Sequence, residues 1–141
     1  MALSKQEREQ FLAEPHIGAL SVQEHTDRGP LIVPIWYEYE PGGPLTVHTG
    51  PEARKAHAIH AAGRFSLLVQ RTAPTVRYVS VEGPVTGTST VDREQTRLLA
   101  ARYLPAELVA DFVDYQHTQL GEHIAIHMQP QRWISSDLGA F

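Results

Sequence analysis

Residues 46–57, Thr-Val-His-Thr-Gly-Pro-Glu-Ala-Arg-Lys-Ala-His, run an apolar–polar strand into a glycine turn that opens a helix. Two adjacent cations, Arg54 and Lys55, fall in the first turn of that helix. The helix macrodipole puts partial positive charge at this end, so most soluble helices place acids there. Two cations are mildly unfavourable unless an anion sits between them and the dipole. A strand end, exposed backbone N–H groups and two fixed positive charges are what a phosphate needs. His48 and Thr49, at the strand end, add an imidazole and a hydroxyl beside the same spot.

Upstream, Ser4 with Glu7 three residues on has the capping-box spacing, and Pro15 stops the short helix they open. Residues 16–23 read as a strand. Residues 31–39, Leu-Ile-Val-Pro-Ile-Trp-Tyr-Glu-Tyr, are β-branched and aromatic and read as a second strand. Pro34 cannot donate to a ladder, so this strand is expected at an edge or with a bulge. The turn Pro41-Gly42-Gly43-Pro44 returns the chain as a third strand at Leu45–Thr49.

Downstream, a helix over 52–62 ends at Gly63, and residues 64–71 and 77–89 give two more strands. Asp92 caps a helix to about Tyr103, and Pro105 opens another to about Leu120. A last strand is expected over 122–134. Consecutive strands with helices inserted point to a mainly β fold, a closed barrel with α additions. A doubly wound α/β fold would need regular strand–helix alternation and a glycine fingerprint after the first strand, and neither is present.

The chain of 141 residues fits one domain, 1–141, long enough to bury a sizeable core. At 42% hydrophobic and 20% charged it has the composition of a folded protein. A formal charge of −4 argues against a nucleic-acid or anionic-membrane binder. No apolar run approaches the roughly 18 residues of a membrane span. The polar N-terminus lacks the character of a signal peptide. With no cysteine, disulfides, thiol catalysis and thiolate metal sites are excluded. A cytoplasmic protein is expected.

The run Ala53-Arg54-Lys55-Ala56-His57, preceded by Val47-His48-Thr49 and followed by Arg64-Phe-Ser-Leu-Leu-Val69, resembles the pyridoxamine 5′-phosphate oxidase-like superfamily, the flavin-binding split β-barrel. The order of VPIWYEY, HTG, ARKAHAI, RFSLLV and RYVSVEG matches as well, over roughly residues 10–90. The resemblance implies a split barrel of six to seven antiparallel strands with four to five helices. It also implies a homodimer that binds FMN, or the deazaflavin F420, at its interface. On that basis Arg54 and Lys55 hold the phosphate and Thr49, with His48 beside it, adds to the grip. Val33, Pro34, Ile35 and Trp36 run along the tricyclic ring, and Tyr78 approaches from a neighbouring position or from the partner subunit.

The residue types suit such a ligand. A guanidinium gives bidentate contacts to phosphate, and a lysine is a mobile point charge. The cofactor carries hydride chemistry, so an enzyme of this kind needs no obvious catalytic acid or base, and no catalytic residue is assigned. In true pyridoxamine phosphate oxidases the ring-lining strand has an arginine near its start and a lysine at its end. Here Leu31, or a neighbour, and Trp36 stand in those places. The tail Gln131–Phe141 also lacks the tryptophan–arginine ending that grips substrate in that family. Vitamin B6 oxidation is therefore rejected. The chain resembles more closely the small F420- or FMN-dependent reductases, which transfer a hydride to or from a small conjugated or aromatic substrate. The alternative is a non-catalytic carrier or redox sensor for FMN, F420 or haem.

Blander readings compete. Arg54 and Lys55 can be solvated, with Glu52 as local partner. Trp36, Tyr37 and Tyr39 can be barrel or interface aromatics, with alternation putting the two tyrosines opposite Trp36. Leu98, Leu99, Tyr103, Leu108, Phe112 and Tyr115 read as core or interface positions at helical spacing. Eight histidines invite a metal, but no spacing among them brings the three or four ligands zinc or iron needs, and no metal site is expected.

Overall fold

The computed structural model describes residues 1–141. Helix α1 (Lys5–Ala13) starts on the expected capping box, with Ser4 Oγ accepting from the Glu7 N–H and the Glu7 carboxylate accepting from the Ser4 N–H. It sends Phe11 and Leu12 into the core. There follow β1 (Gly18–Val22), β2 (Leu31–Ile35), β3 (Tyr37–Tyr39), β4 (Leu45–Thr49), α2 (Arg54–Ala62), β5 (Arg64–Arg71) and β6 (Val76–Thr90). Helices α3 (Arg93–Tyr103) and α4 (Ala106–Tyr115) come next, then a π-helical turn at Gln116–Leu120, β7 (Ile124–Met128) and β8 (Arg132–Gly139).

All the strand pairs are antiparallel, in the order β2-β1-β5-β6-β7-β4-β3, with β8 also on β6. The two ends of that order, β2 and β3, are consecutive in the chain and separated only by Trp36. The sheet therefore curls until its ends meet at one residue. Strand β6, 15 residues long, serves both halves: its first part pairs β5 and β8, its last part β7, with a register shift between Val85 and Gly87. Leu20, Leu67, Val79, Val47, Ile126 and Met128 fill the interior and are fully or almost fully buried. Each such side chain contributes about 1.5–3 kcal/mol on removal from water.

The expected single strand over 31–39 is two strands. Pro34 does sit on an edge strand, opposite Ala19 of β1, its only neighbour. The break comes two residues later, because the Tyr37 N–H donates to the Tyr103 hydroxyl at 3.2 Å and the Tyr37 ring turns into the core. The expected strand over 122–134 is likewise two. Between them the N–H groups of Gln129 and Gln131 donate to the carbonyls of Pro84 and Glu82, at 3.0 and 2.9 Å. The tail beyond Gln131 is thus a full strand, β8, and not a loose end. Helix α2 begins at Arg54, two residues later than expected, because Pro51 to Ala53 form the turn. Gly63 closes it in the left-handed conformation, φ 73°.

Candidate functional site

Strand alternation sorts the residues around Trp36 into two sets. Tyr37, Tyr39, Val47 and Thr49 point into the barrel, while Glu38 and His48 are on the other face of β3 and β4. The helical excursion packs over that second face. The Trp36 indole stacks on Tyr103 of α3, and Phe112 of α4 leans on it at 5.3 Å. A cavity of about 390 Å³ lies between. Its sheet-side wall is Pro34, Ile35, Trp36 and His48; Lys55 enters from the start of α2. Thr96, Leu99, Phe112 and Gln116 close the helical side, and His123 and Ile17 complete the lining.

His48 is the most informative of these. Its side chain is 6% exposed, and its Nε2 lies 3.2 Å from Glu38 Oε1, on a carboxylate 34% exposed. Its other nitrogen, Nδ1, is buried with no hydrogen-bond partner. A partnerless buried polar atom costs about 1–3 kcal/mol, so this imidazole is held at a cost beside the cavity. The adjoining helix start points the same way: α2 has Ala53 at its N-cap, no side-chain cap and no acid in its first turn.

The two adjacent cations part company. Arg54 forks onto Glu24 of the β1–β2 loop, Nε to Oε2 at 2.7 Å and Nη2 to Oε1 at 2.5 Å. Its guanidinium holds the Glu24 carboxylate below its ordinary value. Lys55 lines the cavity instead, with no carboxylate paired to it. Arg54 is therefore already engaged, in an ion pair that solvent screens.

Of the residues expected at the site, Pro34, Ile35, Trp36, His48 and Lys55 converge on this cavity. Val33 does not; it packs against the core. Thr49, also inward, is 2% exposed, and its hydroxyl donates to the Gly50 carbonyl at 3.3 Å. Tyr78 is on the outer face of β6, between Gln70 and Ser136. Sequence reasoning set Leu99 and Phe112 aside as packing residues, weighed His123 only among the histidines that fall short of a metal site, and passed over Thr96 and Gln116 altogether. The π-helical turn at Gln116 was the signal available in the fold, since such turns recur at functional sites.

A larger groove, about 570 Å³, runs between α3 and α4. Its charges satisfy one another, Arg93 with Asp114 and Arg97 with Glu94, and no orphaned buried atom lies there. The smaller cavity is the better candidate. Its lysine and uncapped helix start suit an anionic group, and Ile35, Trp36, Leu99 and Phe112 suit a flat aromatic body.

A split barrel with an anion corner beside an aromatic wall is the class of protein that fold and site define. The chain matches the sequence profile of pyridoxamine 5′-phosphate oxidase over residues 4–137, and it belongs to that family. No curated protein sequence matches it. Among solved structures it is similar to an F420 reductase, at 21% identity over 89% of this chain and 94% of that one, with a TM-score of 0.68. A conserved hypothetical protein of Mycobacterium tuberculosis superposes with a TM-score of 0.69, at 22% identity over 96% and 85% of the two chains. An FAD-binding protein of Mesorhizobium loti gives 0.61, at 17% identity over 97% and 95%. At these identities the likeness is one of fold.

Proposed function

We propose that this chain is an F420- or FMN-dependent oxidoreductase that exchanges a hydride with a small conjugated or aromatic substrate, and that it is not a pyridoxamine phosphate oxidase. The observation that carries the reading is the cavity, which joins Lys55 and the uncapped start of α2 to the Trp36 wall, with His48 Nδ1 unpartnered beside them. The F420 reductase and the FAD-binding protein of the same fold support it. The cofactor, when bound, supplies the hydride. The chain's own residues bind and orient: Lys55 sets the anionic end, Pro34 to Trp36 flank the ring, and Leu99 and Phe112 exclude water.

The active unit is a homodimer. On the outer face of the sheet, Pro34, Ala19, Leu68, Ser80 and Ile134 form one cross-strand row. No helix covers it, and Ile134 is 66% exposed. Pro34 belongs both to this row and to the cavity wall, so a second copy on this face would extend the cavity and bring a partner's Tyr78 near it. Sedimentation of the purified protein tests the dimer.

Titration with FMN, F420 and haem, followed by absorbance and fluorescence, tests the cofactor. Binding of FMN or F420 tighter than about 100 μM, about −5.5 kcal/mol, is expected. No binding by any of the three would overturn the reading. Tight binding without turnover, once a reductant and acceptors are added, would make the chain a carrier or sensor.

A further inference from the structure

We infer that the carboxamide of Gln116 binds a hydroxylated chain lying between the anion corner and the aromatic wall, so that the ligand this cavity selects is a polyol phosphate joined to a flat ring. This rests on the cofactor reading above and adds one specificity-determining residue to it. Gln116 lines the cavity and is 6% exposed. Its backbone N–H is spent within the helix, on the carbonyls of Phe112 and Val113. Its side-chain amide has no partner in the protein, yet neither amide atom is sealed off: the unpartnered atoms that no solvent reaches are on Arg8 and His48. A carboxamide with open surface, in a residue otherwise buried against a cavity, is placed to meet what fills it.

Its position along the cavity follows from its neighbours. Gln116 comes one helical turn after Phe112, about 6 Å along the axis, and Phe112 leans on Trp36. The next residue, His117, meets the Thr96 hydroxyl at 2.8 Å. Thr96 is in the first turn of α3, whose cap Asp92 follows Val91, and the Val91 N–H donates to the His123 carbonyl at 3.2 Å. Ile124, beside His123, pairs with Thr49 at the strand end that leads into α2 and Lys55. Gln116 therefore lies between the aromatic wall and the corner of Lys55.

The chemistry of the amide names what sits there. Lys55 is the one lysine or arginine on the lining, no carboxylate joins it, and the Thr96 hydroxyl is taken up by the Asp92 carbonyl and His117. A carboxamide offers N–H donors and a carbonyl acceptor side by side. A deprotonated phosphate only accepts, and would leave that carbonyl facing negative charge. A ring face uses neither half. Hydroxyls donate and accept, so neighbouring hydroxyls on a flexible chain satisfy both halves of the amide. Such a chain joins ring to phosphate in FMN and in F420.

The test crosses a change in the protein with a change in the ligand. FMN is compared with an alkyl-phosphate flavin, the same ring and phosphate joined by an unsubstituted pentyl chain. Both are titrated, by quenching of ring fluorescence, into the parent protein and Gln116→Met, which keeps the side-chain length and removes the amide. The substitution should weaken FMN about fivefold or more and the alkyl-phosphate flavin less than about twofold. Equal losses for the two ligands, or no loss for FMN, would overturn the inference and leave the cofactor reading standing. The side-chain amide protons of Gln116 give a second readout on the parent protein by NMR. Their exchange with water should slow with FMN and not with the alkyl-phosphate flavin, and this decides if Gln116→Met does not fold. Where F420 binds and FMN does not, the same substitution should weaken F420 and the same protons should slow; neither change would overturn the inference alone. Failure of FMN and F420 alike to bind the parent protein would overturn both readings.

Discussion

The indole of Trp36 lies face to face on the phenol of Tyr103, with centroids 4.8 Å apart and planes 7° from parallel. This stack clamps the one residue at which the sheet changes halves to the last turn of α3. The Tyr103 hydroxyl completes the clamp, accepting from the Tyr37 N–H at 3.2 Å and donating to the His16 carbonyl at 2.9 Å. Arg102 adds its own bonds, from Nε to the Tyr37 carbonyl at 3.1 Å and from its guanidinium tip to the Ala13 carbonyl at 3.4 Å.

Tyr103→Phe keeps the stack and removes the bridge, leaving the Tyr37 N–H without a partner. The cost of an orphaned buried group is about 1–3 kcal/mol. Thermal melting should show a clear fall in Tm, and an unchanged Tm would mean that the strand break at Trp36 is held by packing alone.

Lys55 and Arg54 should separate in binding. Lys55→Ala removes a charge-assisted contact of about 1.5–3 kcal/mol, a loss of roughly 10- to 150-fold in FMN or F420 affinity. Arg54→Ala should cost less, because Arg54 must first give up Glu24. Glu24→Gln weakens that hold and should tighten binding. Equal losses from the two alanines, with no gain from Glu24→Gln, would show that Arg54 reaches the ligand unhindered.

Gly83 marks where β6 passes under the chain between β7 and β8. A Cβ there would lie 1.8 Å from the Gln129 carbonyl oxygen. That oxygen is fixed by backbone bonds from Gln129 and Gln131 on either side. Gly83→Ala should therefore cost at least the about 1–3 kcal/mol typical of overpacking, read as a lower urea midpoint. Gly87→Ala, in the same strand, is the control: its Cβ meets nothing nearer than 4.0 Å, and stability should stay within about 0.5 kcal/mol.

What was legible follows from the range of the forces. The Ser4 and Asp92 caps, the Gly63 stop and the Pro34 edge strand are local chemistry, and each is where the sequence puts it. The ordered run from VPIWYEY to RYVSVEG carries the family. The break at Trp36 depends on a hydroxyl 66 residues away from Tyr37, and no local pattern encodes that. The same holds at the site. Lys55 and the Pro34–Trp36 wall belong to the family's run, but Thr96, Leu99, Phe112 and Gln116 reach the cavity only because α3 and α4 fold back over β4. Their helical spacing says that one face is buried, not against what.

The acid limb of stability should run through Asp137. This carboxylate on β8 is held by the Thr75 hydroxyl at 2.6 Å, the Gly139 N–H at 2.9 Å and Arg77 Nε at 2.8 Å. In that order they lower its pKa to about 2. In the unfolded chain an aspartate titrates near 3.9. A pKa depressed by folding means that the unfolded state binds more protons in that interval, so stability rises with pH across it. The contribution is complete above about pH 4 and disappears as pH falls through about 2. Asp137→Asn should therefore be less stable than the parent at pH 7, and the gap between their urea midpoints should narrow from pH 4 towards pH 2. Because Asp137 joins β8 to both the Thr75 loop and β6, the tail should exchange its amide hydrogens faster in the variant at neutral pH. A gap that stays constant down to pH 2 would show that the parent's carboxylate is not what ties the tail to the barrel.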